Sequence, residues 1–124
     1  MNNPEVTMHT TPNRNKLIAL EKAIEATGIA MALAKQIPAP LRSTADQLTR
    51  AAVSVSLNLS EGHGRCGRDR FHLWRISYAS ANEVDTCLRI LVNAGVLDTA
   101  QASQAISLFD EVRAMTWRLM HPQS

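Results

Sequence analysis

The sequence predicts an all-α protein folded as an antiparallel up-down-up-down four-helix bundle. Its 124 residues are 45% hydrophobic but only 4% aromatic, a composition typical of closely packed aliphatic helices. Five glycines and five prolines are too few for the frequent turns of an all-β protein. Apolar residues recur at intervals of three and four along four segments, which predicts four amphipathic helices. We expect a flexible arm at residues 1–14, one bundle at 15–121 and a tail at 122–124.

The first predicted helix starts near Leu17 and ends at Ile37-Pro38, because the residue before a proline disfavours the helical backbone. Gly28 lowers the helix propensity of this segment and suggests that a neighbouring helix approaches closely there. The seam expected to face the core is Leu17, Leu20, Ile24, Thr27, Met31 and Ala34.

The second predicted helix begins near Leu41, after a rigid pair of prolines. Ser43 followed three residues later by Asp46 is typical of a helix start. The expected seam is Leu41, Ala45, Leu48, Ala52, Val55 and Leu59. Its alternating spacing of four and three is that of helices packed at a shallow angle. The helix is expected to end at three glycines, Gly62, Gly64 and Gly67.

The third and fourth predicted helices have their own start signals. Asp69 is expected to cap the third, and Asp98 with Gln101 matches a capping box for the fourth. The seam of the third helix is Phe71, Trp74, Tyr78, Ala81, Val84, Leu88 and Leu91. The seam of the fourth is Ala102, Ala105, Phe109, Val112, Thr116 and Leu119.

A basic segment joins the second and third helices. Residues 62–67 match G-x-G-x-x-G, but a dinucleotide fingerprint requires a preceding strand, so we interpret the segment as an interhelical loop. Residues 62–75 carry four arginines against Asp69, a local charge of +3, whereas residues 76–111 carry −4. The residues expected to bind nucleic acid are Arg65, Arg68, Arg70 and Arg75. The alternative, favoured for a monomer, is a solvated turn whose arginines pair with acids of adjacent helices.

The sequence predicts no enzyme, metal site or cofactor. A zinc site would need closely paired ligands at matched spacing, and the candidates His63, Cys66, His72 and Cys87 lack it. Cys66 has no orienting group for a role as nucleophile, and Cys87 is expected to pack as a small apolar residue. Glu83 and Asp85 are two residues apart and therefore do not share a helix face.

A polar row runs beside the apolar seam of the second helix, starting at Ser43. Its small hydroxyl and amide groups suit a partly buried hydrogen-bond network more than a solvated face, although a wet face remains the alternative. The predicted network is Gln47, Arg50, Ser54, Asn58 and Glu61, with Glu83 from the third helix. Arg50 is expected to pair with Glu61 of another helix or with Glu83, because burying either charge alone is costly.

Three sequence patterns carry a resemblance to a known family. Residues 47–55 match Q-x-x-R-A-A-V-S-[IV], residues 58–65 match N-[IL]-[AS]-E-G-x-G-R, and residues 80–86 match S-x-x-E-[LV]-[ED]-T. The chain thereby resembles, over about residues 17–120, the bacterial four-helix-bundle proteins encoded in intervening sequences of large-subunit ribosomal RNA genes. It departs from them at Ser56, where the family usually has proline, and at Ala39-Pro40, where an acidic-basic pair is common.

The resemblance implies a ring of five bundles. It also implies a distant relationship to the accessory variability proteins of diversity-generating retroelements, which bind nucleic acid and a reverse transcriptase. We therefore expect a non-enzymatic homopentamer that binds RNA or DNA through repeated basic loops. The alternative is a scaffold that docks a partner enzyme and has no direct role with nucleic acid.

The expected location is the cytoplasm. Two cysteines, Cys66 and Cys87, and the lack of a secretion signal at the start of the sequence favour a reducing compartment. No apolar run approaches the roughly 20 residues that a membrane-spanning helix needs, so no membrane association is expected.

Overall fold

A computed structural model of the chain describes residues 11–122. Four α-helices follow one another: α1 (Thr11–Ala34), α2 (Arg42–His63), α3 (Gly67–Asn93) and α4 (Thr99–Met120), with a short 3₁₀ turn at Ala39–Leu41 before α2. The described residues contain no strand. Most of the predicted arm at 1–14 and of the tail at 122–124 lies outside the described residues, and Thr11–Arg14 belongs to α1.

The four helices form an antiparallel up-down-up-down bundle, which confirms the predicted fold class. α1 packs against α2 and α4, and α3 packs against the same two helices. The connections are short, as antiparallel neighbours require: only residues 64–66 separate α2 from α3, and residues 94–98 separate α3 from α4. One end of the bundle therefore brings together the start of α1, the end of α2, the start of α3 and the end of α4.

The core follows the predicted seams of α2, α3 and α4 at most positions. Leu41, in the 3₁₀ turn before α2, and Phe71, near the start of α3, are the exceptions, because both are exposed. Ala45, Tyr78 and Leu119 are half-buried. The fully buried large side chains of these helices are Leu48, Val55, Leu59, Val84, Leu88, Leu91, Phe109 and Val112.

The predicted seam of α1 is wrong at Leu17, Ile24 and Met31, which are 54%, 57% and 41% exposed. The face that packs into the bundle consists mainly of small residues: Ala19, Ala23, Ala26, Thr27, Ala30 and Leu33. α1 has two apolar faces, and the face of small side chains lies inside because it lets the neighbouring helices approach closely. Gly28 lies outside this face, and a Cβ atom added there would have no heavy atom of another helix within 4 Å, so the predicted close approach at Gly28 is also wrong.

The start of α2 agrees with the prediction near Leu41, but the capping residues differ from prediction at two of the three helix starts. α2 begins at Arg42, so Ser43 already lies in the first turn, and the N-cap residue Leu41 makes no side-chain cap. α3 begins at Gly67 with Cys66 at the N-cap, which places Asp69 inside the helix. The capping box of α4 is confirmed. The backbone N–H of Gln101 donates to Asp98 Oδ1 at 2.7 Å, and the backbone N–H of Asp98 donates to Gln101 Oε1 at 3.2 Å.

Candidate nucleic-acid interface

Positive charge is concentrated at one end of the bundle. We define the basic end as residues 14–20, 57–78 and 114–121, where the start of α1, the α2–α3 loop and the end of α4 meet. It carries seven lysines and arginines against Glu61 and Asp69, a net charge of +5. Residues 28–50 and 83–104, at the opposite end, carry four charges of each sign. The fold thus adds three cations, Arg14, Lys16 and Arg118, and one acid, Glu61, to the +3 of residues 62–75.

Three of the four predicted nucleic-acid-binding arginines are exposed at this end. Arg65 Nη2 lies 3.3 Å from Glu61 Oε2, and its Nη1 lies 4.0 Å from Asp69. These pairs lie in water and contribute little stability. Arg68 and Arg75 make no hydrogen bond or ion pair with the side chains or backbone of residues 14–122. The alternative of arginines paired with acids therefore fits Arg65 alone, and its partners lie within one helical turn.

Arg70, the fourth of these arginines, makes contacts inside the fold. Its Nε donates to the carbonyl oxygen of Gly62 at 3.1 Å, and its Nη2 donates to that of His63 at 3.2 Å. Its guanidinium carbon lies 5.2 Å from the centre of the Trp74 ring. The last carbonyls of a helix have no partner within the helix. Arg70 of α3 donates to two of these carbonyl groups, so its side chain links α2 to α3 across the loop.

Replacing Arg70 with alanine is expected to lower the free energy of unfolding by about 1 kcal/mol, because two carbonyl groups of α2 lose a charged donor. The matched control is Arg68→Ala, which removes an exposed arginine from the same turn and should leave stability unchanged. Urea unfolding followed by circular dichroism measures both. Equal stability of the two variants would refute the structural role assigned to Arg70.

A buried tryptophan organises the end of α2. Trp74 is 4% exposed, and its Nε1 donates to the Leu59 carbonyl oxygen at 3.2 Å. A Cβ atom at Gly62 would lie 2.5 Å from Cδ1 and Nε1 of that ring, which is closer than side chains pack. Gly62 is therefore needed for contact with Trp74, and it lies inside α2 and does not end it.

His63, the last residue of α2, links this end of the helix to α1. Its Nε2 lies 2.8 Å from the carbonyl oxygen of Lys16, to which it donates, and its ring meets Trp74 edge-on with centroids 5.6 Å apart. Burial, together with the charges of Lys16 and Arg70, lowers the pKa of His63, and the hydrogen bond to Lys16 only partly opposes this shift. The imidazole is therefore neutral at pH 7.

The predicted polar row is half-buried at its centre and exposed at its ends. Ser54 Oγ lies 2.8 Å from Ser80 Oγ of α3, and Asn58 Nδ2 donates to the carbonyl and hydroxyl oxygens of Ser54, both at 3.0 Å. Gln47 Nε2 donates to Glu83 Oε2 at 3.2 Å on the surface. The row is thus a small hydrogen-bond network between α2 and α3 whose two ends are exposed to solvent.

The expected partners of Arg50 are engaged elsewhere. Glu83 accepts from Gln47, and Glu61 pairs with Arg65 of its own turn. Arg50 is exposed and forms no ion pair with the described part of the chain. Its charge needs no buried partner, since water solvates it.

Further hydroxyl contacts between helices were not predicted. Ser77 donates to the Val55 carbonyl oxygen at 2.8 Å. Thr27 Oγ1 donates to the Ala52 carbonyl at 3.0 Å and lies 2.7 Å from Ser56 Oγ, which therefore donates to it. Ser56 occupies the position at which the resembling proteins usually have proline. Its hydroxyl joins α2 to α1 there.

The described residues, 11–122, include the candidate metal ligands and both cysteines. No group of three His, Cys, Asp or Glu side chains there is placed to hold a metal ion. Cys66 is exposed and Cys87 is buried, and burial together with the nearby Glu83 carboxylate raises the pKa of the Cys87 thiol. None of the described helices combines the length and apolarity needed to cross a membrane.

These features define a class of small four-helix bundles with a strongly basic end. The chain belongs to the 23S rRNA-intervening sequence protein family, whose model matches residues 15–118. Its fold is similar to that of a protein of unknown function from the S23 ribosomal protein family of Bacteroides thetaiotaomicron. That similarity has a TM-score of 0.79 and 17% sequence identity, over 86% of this chain and 97% of the other. No protein of curated function matches the sequence significantly.

Proposed function

We propose that this protein is a non-enzymatic homopentamer that binds RNA or DNA through its repeated basic ends. The observation that carries the proposal is the net charge of +5 at one end of the bundle, where Arg68 and Arg75 are exposed without acidic partners in the described part of the chain. The family name refers to an intervening sequence of 23S rRNA, which links the family to RNA but names no ligand. The number five comes from the family resemblance.

Self-association is supported by the outer face of α1. Leu17, Ile24 and Met31 are spaced by seven residues and form one exposed stripe, which we call the α1 stripe. Met31 lines a groove between α1 and α2 together with Thr49, so the stripe lies on the side of α1 that faces α2. Single exposed apolar residues are ordinary, but a regular stripe of large ones on a helix is typical of a subunit contact.

Repetition gives weak sites a useful affinity. A single basic end makes a few contacts to phosphate and would bind weakly at physiological salt. Several such ends on one rigid ring bind the same strand at high effective concentration, and each releases counterions. Oligomerisation is therefore part of the proposed binding mechanism.

Replacing Ile24 with glutamate is expected to dissociate the oligomer, because it places charges inside the contact made by the α1 stripe. Ile90→Glu is the matched control, since Ile90 is 56% exposed on α3 and Ile24 is 57% exposed on α1. Light scattering should give five times 13.6 kDa for the wild type and the control, and a smaller mass for Ile24→Glu. A wild-type protein that is monomeric at every concentration would refute the oligomer.

Capture of partners from a lysate separates the proposal from the scaffold alternative. The immobilised protein should retain nucleic acid, and nuclease treatment should remove the proteins that come with it. Stoichiometric retention of one protein after nuclease treatment, without affinity for purified RNA or DNA, would favour the scaffold.

A further inference from the structure

Three aromatic rings form an exposed strip across α3 and α4 at the basic end. Trp117 and His121 stack with ring centres 4.1 Å apart and an angle of 26° between their planes. Phe71 meets His121 edge-on at 6.0 Å. Phe71 is 41% exposed and Trp117 is 48% exposed, so large aromatic surfaces face solvent. His121 Nδ1 lies 3.0 Å from the Trp117 carbonyl oxygen, which orients its ring.

Cationic side chains lie on both sides of this strip. Arg75 follows Phe71 by four residues and therefore lies on the same face of α3. Arg118 follows Trp117 and, with it and Tyr78, lines a groove between α3 and α4. The acid in this groove, Asp110, is paired with Arg113. Arg75 and Arg118 form no ion pair within residues 11–122.

We propose that this strip binds single-stranded nucleic acid, with unpaired bases stacked on Trp117 and Phe71 and phosphates held by Arg75 and Arg118. Exposed aromatic faces interleaved with arginines are the combination that single-strand-binding surfaces use. A duplex cannot use the aromatic faces, because its bases are already stacked on one another. The inference rests on the proposed function for the choice of a nucleic acid, and it adds the form of the ligand and the surface that selects it.

The test compares single strands with a duplex. Fluorescence anisotropy is measured with labelled oligo(U) and oligo(dT) of about 15 nucleotides, a length within the range that single-strand-binding domains cover. A DNA duplex of the same length is the third probe. Trp117→Leu keeps an apolar side chain but removes the stacking face, and it should weaken single-strand binding by about tenfold while leaving duplex binding unchanged. Trp117→Phe should retain most of the affinity. Ile90→Ala, an exposed apolar residue outside the basic end, is the control and should change nothing.

A second variant and a mass measurement keep the test decisive. Phe71→Leu removes the other stacking face from α3 and should also weaken single-strand binding selectively. Either preference, for oligo(U) or for oligo(dT), supports the proposal and identifies the strand. If Trp117→Leu dissociates the oligomer in light scattering, the strip is a subunit contact and the proposal is overturned.

The failure of stacking is distinguishable from the failure of the proposed function. If both aromatic variants bind single strands like the wild type while reversing the charge of Arg65 and Arg68, which lie outside the strip, abolishes binding, the strip plays no part and the basic end still binds nucleic acid. If the wild type prefers the duplex, single-strand selection is refuted. If the wild type binds none of the three probes at low salt, both proposals are wrong.

Discussion

Replacing Gly62 with alanine is expected to lower the free energy of unfolding by about 2 kcal/mol and the Tm by roughly 10 °C. The new Cβ would lie 2.5 Å from two atoms of the Trp74 ring. This ring cannot move aside freely, because it is buried and its Nε1 donates to Leu59. The higher helix propensity of alanine, worth about 1 kcal/mol, offsets only part of the clash.

The matched control for this prediction is Gly64→Ala. A Cβ at Gly64 would lie 3.7 Å from the nearest heavy atom, the carbonyl oxygen of Glu61, which is an ordinary contact. Thermal unfolding should be followed at one protein concentration, because the stability of an oligomer depends on concentration. Equal Tm values for the two variants would show that the packing of Gly62 against Trp74 contributes no stability.

Reversing the charge of Arg65, Arg68 and Arg75 together is expected to weaken nucleic-acid binding by more than about a hundredfold at low salt. The three substitutions to glutamate turn the +5 of the basic end into −1 on each subunit. Arg70 is left in place because its hydrogen bonds hold α2 and α3 together. Binding is measured by anisotropy with a labelled single strand, and light scattering should show an unchanged oligomer.

The control for this triple variant reverses three cations outside the basic end: Lys35, Arg42 and Arg50. All three are exposed and form no ion pair within residues 11–122. Because each variant reverses three cations, both change the net charge by the same amount. The control should lose far less affinity. A similar loss in both would mean that overall charge, and no particular end of the bundle, governs binding.

The sequence predicted the fold well in α2, α3 and α4, where large apolar side chains mark the buried face. Leu48, Val84 and Phe109 each belong to a row of apolar residues spaced by three and four on its own helix, so the periodicity identifies the buried face. In α1 the same rule selected Ile24, whereas the structure buries Ala23. The periodic pattern identifies the most hydrophobic face of a helix, whereas close packing of helices favours the face with the smallest side chains. In α1 these are two different faces, so the pattern predicted the wrong one.

The basic end was only partly predictable. Arg65, Arg68, Arg70 and Arg75 lie close together in sequence, whereas Arg118 belongs to the same end only because α4 ends beside the start of α3. The Arg70 guanidinium lies against the Trp74 ring, and that ring packs against Gly62 of α2. These contacts join two helices, so the spacing within one helix does not predict them. Phe71 was predicted to be buried because it continues the spacing of α3, yet it lies one turn beyond the core. Contacts between helix ends depend on where each helix stops, which spacing alone does not determine.

The dependence of binding on salt tests the central claim most directly, namely that repeated basic ends bind nucleic acid together. The affinity for a labelled single strand should be measured over a series of potassium chloride concentrations, for the wild type and for Ile24→Glu. We expect the logarithm of the affinity to fall linearly with the logarithm of salt concentration, more steeply for the oligomer than for the dissociated variant. Equal slopes and equal affinities for the two proteins, or no binding by the wild type at low salt, would contradict the account.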